Sequence, residues 1–460
     1  MSQTRGSRGS HGSADRYEPA EPTDLVSFSV VCRPKSVADI EGFRSRLHLS
    51  TLDECLPDER SRQQVSDQLQ GHGFEVFDVQ SPVVSARGPV SLFTAVFDRE
   101  LVRRIRTVQT PLGARTETSI VLPPGAELPA AETLAGALLI VVQSRPLFMA
   151  PRLPPDGTAL KLHAPGDIAQ LTHAAATHRR MLGSGDRATG SGVGVAVLDT
   201  GFATHPFYSD HKYHIVRRAA PDASHPERDP EPHGTMILTG LFACAPDVDA
   251  YAIKLGEDPT LGFAVAATLP NVKVISLSWV YSIAGQPSVP ADLLPLQLTI
   301  LYAISTGVTV VAAAGNGEDQ CFPAMMREVV AVGGVTIDTS DSISAWNGSS
   351  SFSSAMFPGR DVPDLCALAS TMWLPIPGLA PNWISDFGAT SCATTQVAGV
   401  AALLLQKSPG LLPAEVKDVL TKTAEDVTTG TTASGDPAHA GVDRATGYGF
   451  VNALNAWSEV

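Results

Sequence analysis

The chain has 460 residues, 43% of them hydrophobic and 17% charged, which is too long for one ordinary core and suits two or three soluble domains. Its formal net charge of −14 argues against nucleic acid or an anionic membrane as main partner. The longest apolar runs, Leu134–Val142 and Val397–Leu405, fall short of the ~18 residues that span a bilayer.

The N-terminus, Met1-Ser-Gln-Thr-Arg-Gly-Ser, carries positive charge with no apolar stretch behind it, unlike a secretory signal. Residues 1–24, rich in Gly, Ser and Arg and then in Pro and Glu, are expected to be disordered. The six cysteines, Cys32, Cys55, Cys244, Cys321, Cys366 and Cys392, show no CxxC or metal spacing and read as structural thiols of a reducing compartment. The expected location is the cytoplasm.

Order is expected from Leu25. Leu25–Cys32 reads as a strand. Val37–Leu47 and Arg60–Gln70 read as helices, the second stopped at Gly71-His-Gly73. Phe74–Val79 and Val83–Ala86 read as strands and Pro89–Leu101 as a helix. Short strands interleaved with helices suggest a ferredoxin-like α+β sandwich over residues 25–150. The tracts His48-Leu-Ser50, Val65–Val76 and Val90–Phe97, with Leu122-Pro-Pro-Gly-Ala-Glu-Leu-Pro129, resemble the activation pro-domain of sedolisin, or kumamolisin-type, proteases; an unrelated small α+β domain is the alternative. Residues 151–185, with Pro151-Arg-Leu-Pro-Pro-Asp-Gly and a helix around Ile168–Met181, read as an exposed, cleavable junction.

The second domain is assigned to residues 186–460, and from Gly192 the texture changes. Val193–Leu198 is a continuous apolar run that ends in Asp199-Thr-Gly201, the look of a buried parallel strand with a polar C-terminal end. Ala250–Leu255, Val272–Leu277, Val308–Ala314 and Val329–Val335 repeat that look. Helices are expected around Gly234–Ala243, Leu261–Leu269, Leu293–Thr306 and Pro413–Thr423. The alternation implies an α/β domain, a parallel sheet flanked by helices with right-handed crossovers.

Phe387–Lys407 begins with hydroxylic residues and runs on as Val-Ala-Gly-Val-Ala-Ala-Leu-Leu-Leu, apolar on all sides, so a fully buried helix is expected. Ser391 would open it. A serine there can be a helix cap or a nucleophile beside unpaired backbone N–H groups. Two further polar residues meet the needs of a hydroxyl nucleophile: His233, at the start of another helix, as base, and Asp199 to orient it. The bland alternatives are a strand-end turn for Asp199 and a helix-start residue for His233. Asn316 ends the strand Val308–Ala314 and would donate to an oxyanion, or simply make an Asn-Gly turn.

The order Asp, His, Ser is that of subtilisin. Asp199-Thr-Gly, His233-Gly-Thr, Ala313-Ala-Gly-Asn316, Thr390-Ser-Cys-Ala-Thr with Val397-Ala-Gly399, and Gly447-Tyr-Gly449 together resemble the motifs of the subtilisin-like serine proteases, over roughly residues 192–458. The resemblance implies a serine endopeptidase with a subtilisin-like fold, Ser391 as nucleophile, His233 as general base, Asp199 as its orienter and Asn316 as oxyanion donor. It also implies a substrate-binding set of Ser276, Leu277, Ser278, Ala313, Ala314 and Gly315. Partners would be a polypeptide substrate and the chain's own pro-domain, which would make it a zymogen. No cofactor is required; calcium, which often stabilises the family, is left open because no acidic cluster matches a site. The sequence departs from the family at Ala389, Thr395 and Gln396, where glycine, proline and histidine are usual, and at Val280, where a side chain in place of glycine would narrow the primary pocket toward small or unusual residues. A fold-preserving, catalytically weak or inactive binding protein is therefore the alternative.

Overall fold

The computed structural model describes residues 15–77, 79–110, 113–148, 162–370, 372–375 and 384–460. The first fourteen residues of the expected disordered segment, and 151–161 of the expected junction, lie outside them; the rest of that N-terminal segment is ordered, with Arg16–Pro19 a strand paired with Val102–Ile105.

The N-terminal part is built on four antiparallel strands: β1 (Leu25–Cys32), β2 (Glu75–Val76), β3 (Val83–Pro89) and, after a hairpin of β4 (Val102–Thr110) and β5 (Gly113–Val121), β6 (Ala137–Val141). Their order in the sheet is β2-β3-β1-β6. Helices α1 (Glu59–His72) and α2 (Val90–Phe97) connect them. Asp58 caps α1 by accepting from the Ser61 N–H, and Gly73 ends it in the left-handed conformation that glycine adopts most readily. Phe28, Phe74, Phe93 and Phe97 pack edge-on and stacked in its core.

Sequence reading does not register the β4–β5 hairpin. Its arginines obscure the strand pattern, and two of them are accommodated on strands by acids: Arg106 faces Glu117 across the hairpin and bonds it at 2.8 Å, and Arg103 bonds Asp24 at 2.7 Å.

The second part is organised by an eight-stranded sheet. Its strands are β7 (Gly194–Asp199), β8 (Ile215–Ala219), β9 (Asp249–Lys254), β10 (Val272–Leu277), β11 (Thr309–Ala313), β12 (Val330–Ile337), β13 (Ile343–Ala345) and β14 (Leu365–Leu368). The order is β8-β9-β7-β10-β11-β12-β13, with β14 also on β12, and every pair is parallel except β12–β13. From β7 the chain winds to one side as β8 and β9, then to the other as β10, β11 and β12. The switch point therefore lies between the C-terminal ends of β7 and β10, where open α/β sheets place their ligands.

Helices α3 (His233–Cys244) and α6 (Thr390–Lys407) pack on one face. Helices α4 (Pro259–Thr268) and α5 (Leu294–Ser305) pack on the other. Residues 390–405 of α6 are all buried, as its all-round apolarity requires. On the α5 face the core continues without a break into the N-terminal part: Phe43, Leu47, Leu52 and Leu139 join Leu294, Leu298 and Leu301.

The described end of the expected junction is no loose tether. Leu162, Ile168 and Ala174 are fully buried in the core of the second part, and Leu162–His163 pairs with Met372–Trp373. The single helix expected around Ile168–Met181 is two short ones, Gly166–Leu171 and Ala174–Thr177, because His173 between them adopts φ +59°. All six cysteines are free and buried. Among the described residues no helix is long and apolar enough to cross a membrane.

Candidate active site

The switch point gathers the polar residues. Asp199 ends β7, His233 opens α3 and Ser391 lies in the first turn of α6. His233 Nδ1 stands 2.7 Å from Asp199 Oδ1, and Nε2 stands 3.0 Å from Ser391 Oγ. With Asp199 fully buried, the carboxylate fixes the proton on Nδ1 and leaves Nε2 as acceptor toward the serine hydroxyl. The motif glycines make this approach feasible. A Cβ on Gly234 would meet the Gly201 carbonyl at 2.3 Å, and one on Gly201 (φ +142°) would meet the Arg228 carbonyl at 2.2 Å.

Burial alone would push the His233 pKa down. The Asp199 carboxylate, with Asp229 and Glu231 beyond it, outweighs burial, and the net shift is upward. Asp229 gives no sequence signal beyond lying four residues before the histidine. Buried, it accepts from Thr235 N–H at 2.8 Å, from Thr235 Oγ1 at 2.6 Å and from Thr200 Oγ1 at 2.7 Å. Thr200 Oγ1 in turn accepts from Gly234 N–H at 3.1 Å. Asp229 and Thr200 thus satisfy N–H groups of the first turn of α3 that the helix cannot satisfy itself. Burial raises the Asp229 carboxyl to about 6.

Asn316, just past β11, is buried, and its Oδ1 accepts from Thr390 N–H at 3.0 Å and Thr390 Oγ1 at 2.7 Å. Those two donors identify the oxygen and fix it against α6, which sets the plane of the amide. Ser391 N–H, in the first turn of the same helix, has no intrahelical acceptor.

Of the expected substrate-binding residues, Ser276 and Leu277 lie inside β10 with their side chains fully buried, Leu277 in the core. Ser278 is at the site itself: its carbonyl lies 3.2 Å from Ser391 Oγ, and its own hydroxyl donates to the Ser391 carbonyl at 3.1 Å. Ala313 and Ala314 are buried at the end of β11. At Gly315 (φ +110°) a Cβ would meet Cys321 Sγ and Ser350 Oγ, each at 2.7 Å. Trp279, fully buried, donates from Nε1 to the Leu198 carbonyl at 3.0 Å and so ties the end of β10 to β7.

The site is covered by the chain's own residues 144–148, which sequence reading passed over. Leu147 and Val280 exchange two backbone hydrogen bonds, of 2.9 and 3.2 Å, as an antiparallel pair. Phe148 stands edge-on to the His233 ring, 5.7 Å between centroids. Upstream, Tyr281 Oη donates to the Ser144 carbonyl at 2.5 Å.

This arrangement agrees with what comparison with known proteins shows. Residues 190–449, more than half of the chain, match the model described as the Subtilase family. The chain belongs to the subtilase family. Subtilisin E of Bacillus subtilis (strain 168) is 31% identical over 265 residues, 51% of this chain and 61% of its own length. Subtilisin of Bacillus pumilus is 31% identical over 265 residues, 51% of this chain and 85% of its own. Subtilisin BL of Lederbergia lenta is 32% identical over 270 residues, 55% and 88%. The chain thus spans about three-fifths of the length of subtilisin E. Among the described residues no group of three or more His, Cys, Asp or Glu side chains is placed to hold a metal ion.

Proposed function

We propose that this subtilase is a serine endopeptidase made as a zymogen. The observation that carries the reading is the Asp199–His233–Ser391 hydrogen-bonded chain at the switch point of the sheet. Ser391 Oγ attacks the substrate carbonyl while His233 Nε2 takes its proton and later passes it to the leaving amine. Asp199 holds the imidazole and stabilises its charged form. The Asn316 NH2 group and Ser391 N–H receive the developing oxyanion.

The N-terminal unit is read as a ferredoxin-like pro-domain. Its β2-β3-β1-β6 antiparallel order and two connecting helices support this. Its continuous packing against α5, and the backbone pairing of Leu147 with Val280, support a role in folding and in blocking the cleft. The six unpaired thiols support placement in a reducing compartment such as the cytoplasm.

A fluorophosphonate probe tests the reading. Labelling of Ser391, abolished by Ser391→Ala, is expected once the N-terminal unit is displaced. Absence of labelling after its removal would establish a binding protein on a subtilase frame. Comparison of peptide with ester substrates separates a peptidase from an esterase using the same residues.

A further inference from the structure

Beside His233 the cleft contains an acid that the proposed triad does not use. Glu231, two residues before the histidine, is 5% exposed. Its Oε1 bonds Arg145 Nη1 at 3.0 Å, and Arg115 Nη1 is 3.5 Å away. Both cations come from the N-terminal unit. Arg145 also bonds Glu117 at 2.8 Å, and its guanidinium lies over the Phe148 ring, 5.2 Å from the centroid. Arg106 extends this group from Glu117 to the Pro146 carbonyl.

The segment that supplies Arg145 binds as an extended peptide. It pairs with Val280 through its backbone and lays an aromatic ring against His233. An extended peptide at a sheet edge takes its affinity from backbone bonds and its specificity from side-chain seats. One of those seats is Glu231, occupied now by an arginine. When residues 144–148 leave, Arg145 leaves with them, and Arg115 and Glu117, on β5, leave when the rest of the N-terminal unit undocks. The carboxylate beside the catalytic histidine is then open to the cleft without its cations, and a charged donor of a substrate can take the vacated place.

We propose that Glu231 is a specificity determinant of this subtilase, selecting peptide substrates that bring an arginine or lysine side chain to the place Arg145 holds. The inference rests on the zymogen reading, since the seat opens only when residues 144–148 vacate the cleft. Arg145 then has a double role: it anchors the blocking strand by the same contact that selects substrates.

The experiment uses full-length wild-type protein, Glu231→Gln and Glu231→Lys. Fragment release is followed on a gel, and kcat/KM is measured on an otherwise neutral peptide series. In the series a single Arg or Gln is moved through the five positions before the cleaved bond. The expected wild-type result is a preference for Arg over Gln of about 10-fold or more at one of these positions, the lower end of what a hydrogen bond to a charged group contributes. Glu231→Gln is expected to bring that ratio near one, and Glu231→Lys to invert it when Glu replaces Arg in the peptide. Each ratio compares substrates on one protein sample, so losses of folded material cancel. Cleavage with no cation preference in wild type, or with the same preference in Glu231→Gln, overturns the inference alone. Absence of any peptide cleavage overturns the peptidase reading and this inference with it.

Discussion

Thr395 Oγ1 donates to the Ile237 carbonyl at 2.8 Å, joining the helix of Ser391 to the helix of His233. The helices touch closely there: a Cβ on Gly240 would come within 2.5 Å of Thr395 Oγ1. Proline, the family's usual residue at this position, has no hydroxyl for such a bond. Thr395→Val keeps the volume and removes the donor, leaving a buried carbonyl one partner short. It is expected to destabilise the fold by about 1 kcal/mol and to lower kcat by loosening the His233–Ser391 geometry. Chemical denaturation and steady-state kinetics check both; unchanged values in the two assays would show that the bond positions nothing.

That contact also marks how far the sequence could be read. The strand ends carrying Asp199 and Ser278, and the helix starts carrying His233 and Ser391, were legible because buried parallel strands and all-apolar helices leave patterns that polar residues interrupt. Gln396 was legible only as a departure. In the fold it clasps β14 twice, its Oε1 accepting from Leu368 N–H at 3.1 Å and its Nε2 donating to the Leu368 carbonyl at 2.9 Å. A side chain that completes a distant strand's hydrogen bonding leaves no local pattern. The same holds for Asp229 and for Arg145, whose partners lie across the fold, and for the β4–β5 hairpin, whose arginines look like loop residues until Glu117 and Asp24 are placed opposite them.

Asn316 is expected to be the residue whose loss harms turnover without harming binding. Thr390 fixes its oxygen from two sides, so the NH2 group is held in place before any charge develops. Asn316→Ala should lower kcat by about 10²–10³, a magnitude taken from the equivalent donor of subtilisin itself, with KM little changed. A loss confined to KM would remove Asn316 from the oxyanion site.

The pH profile should report the acids behind His233. Burial pushes its pKa down, but Asp199, Asp229 and Glu231 together carry it above the ordinary value. The acid limb of kcat/KM is therefore expected above pH ~6.5, since the base must be deprotonated to work. Asp229→Asn removes one negative charge from behind the imidazolium and should move that limb to lower pH. A limb that stays in place, with activity retained, would show that Asp229 only caps the helix.

Self-processing is predicted close to residues 144–148. Leu147 opposes Val280, and Ser278, two residues earlier on that strand, has its carbonyl 3.2 Å from Ser391 Oγ. Residues 144–148 lie along the site, so cleavage is expected within the few residues that follow Phe148 in the sequence. Wild-type protein should run as two fragments, the larger beginning shortly after Phe148 by mass spectrometry, while Ser391→Ala stays at 48.3 kDa. An intact wild-type chain with full activity would sink the zymogen reading.

Docking of the N-terminal unit should weaken as pH rises. Asp258 accepts a hydrogen bond from Ser29 of β1, and Glu257 lines a cavity with Asp24, Arg103 and Ser119. Burial raises Asp258 to about 6, helped by Asp222 and opposed by bonds from Ser29 and Thr260. Burial raises Glu257 to about 7, with Asp222 and Glu117 adding to it and Arg145 and Arg104 opposing. These acids hold a proton more tightly when docked than when free, where the ordinary carboxylate value is about 4. Their stabilisation of the docked state is complete below pH ~4 and is lost as pH rises to about 7. Glu117, where burial is outweighed by Arg145 and Arg106, shifts the other way, and its contribution grows with pH only below the ordinary carboxylate range. In full-length Ser391→Ala, which cannot process itself, susceptibility of the N-terminal unit to an added protease should therefore rise between pH 5 and 8. Glu257→Gln should flatten the rise. Protection that is constant or increases over this range would show that these buried acids do not govern docking.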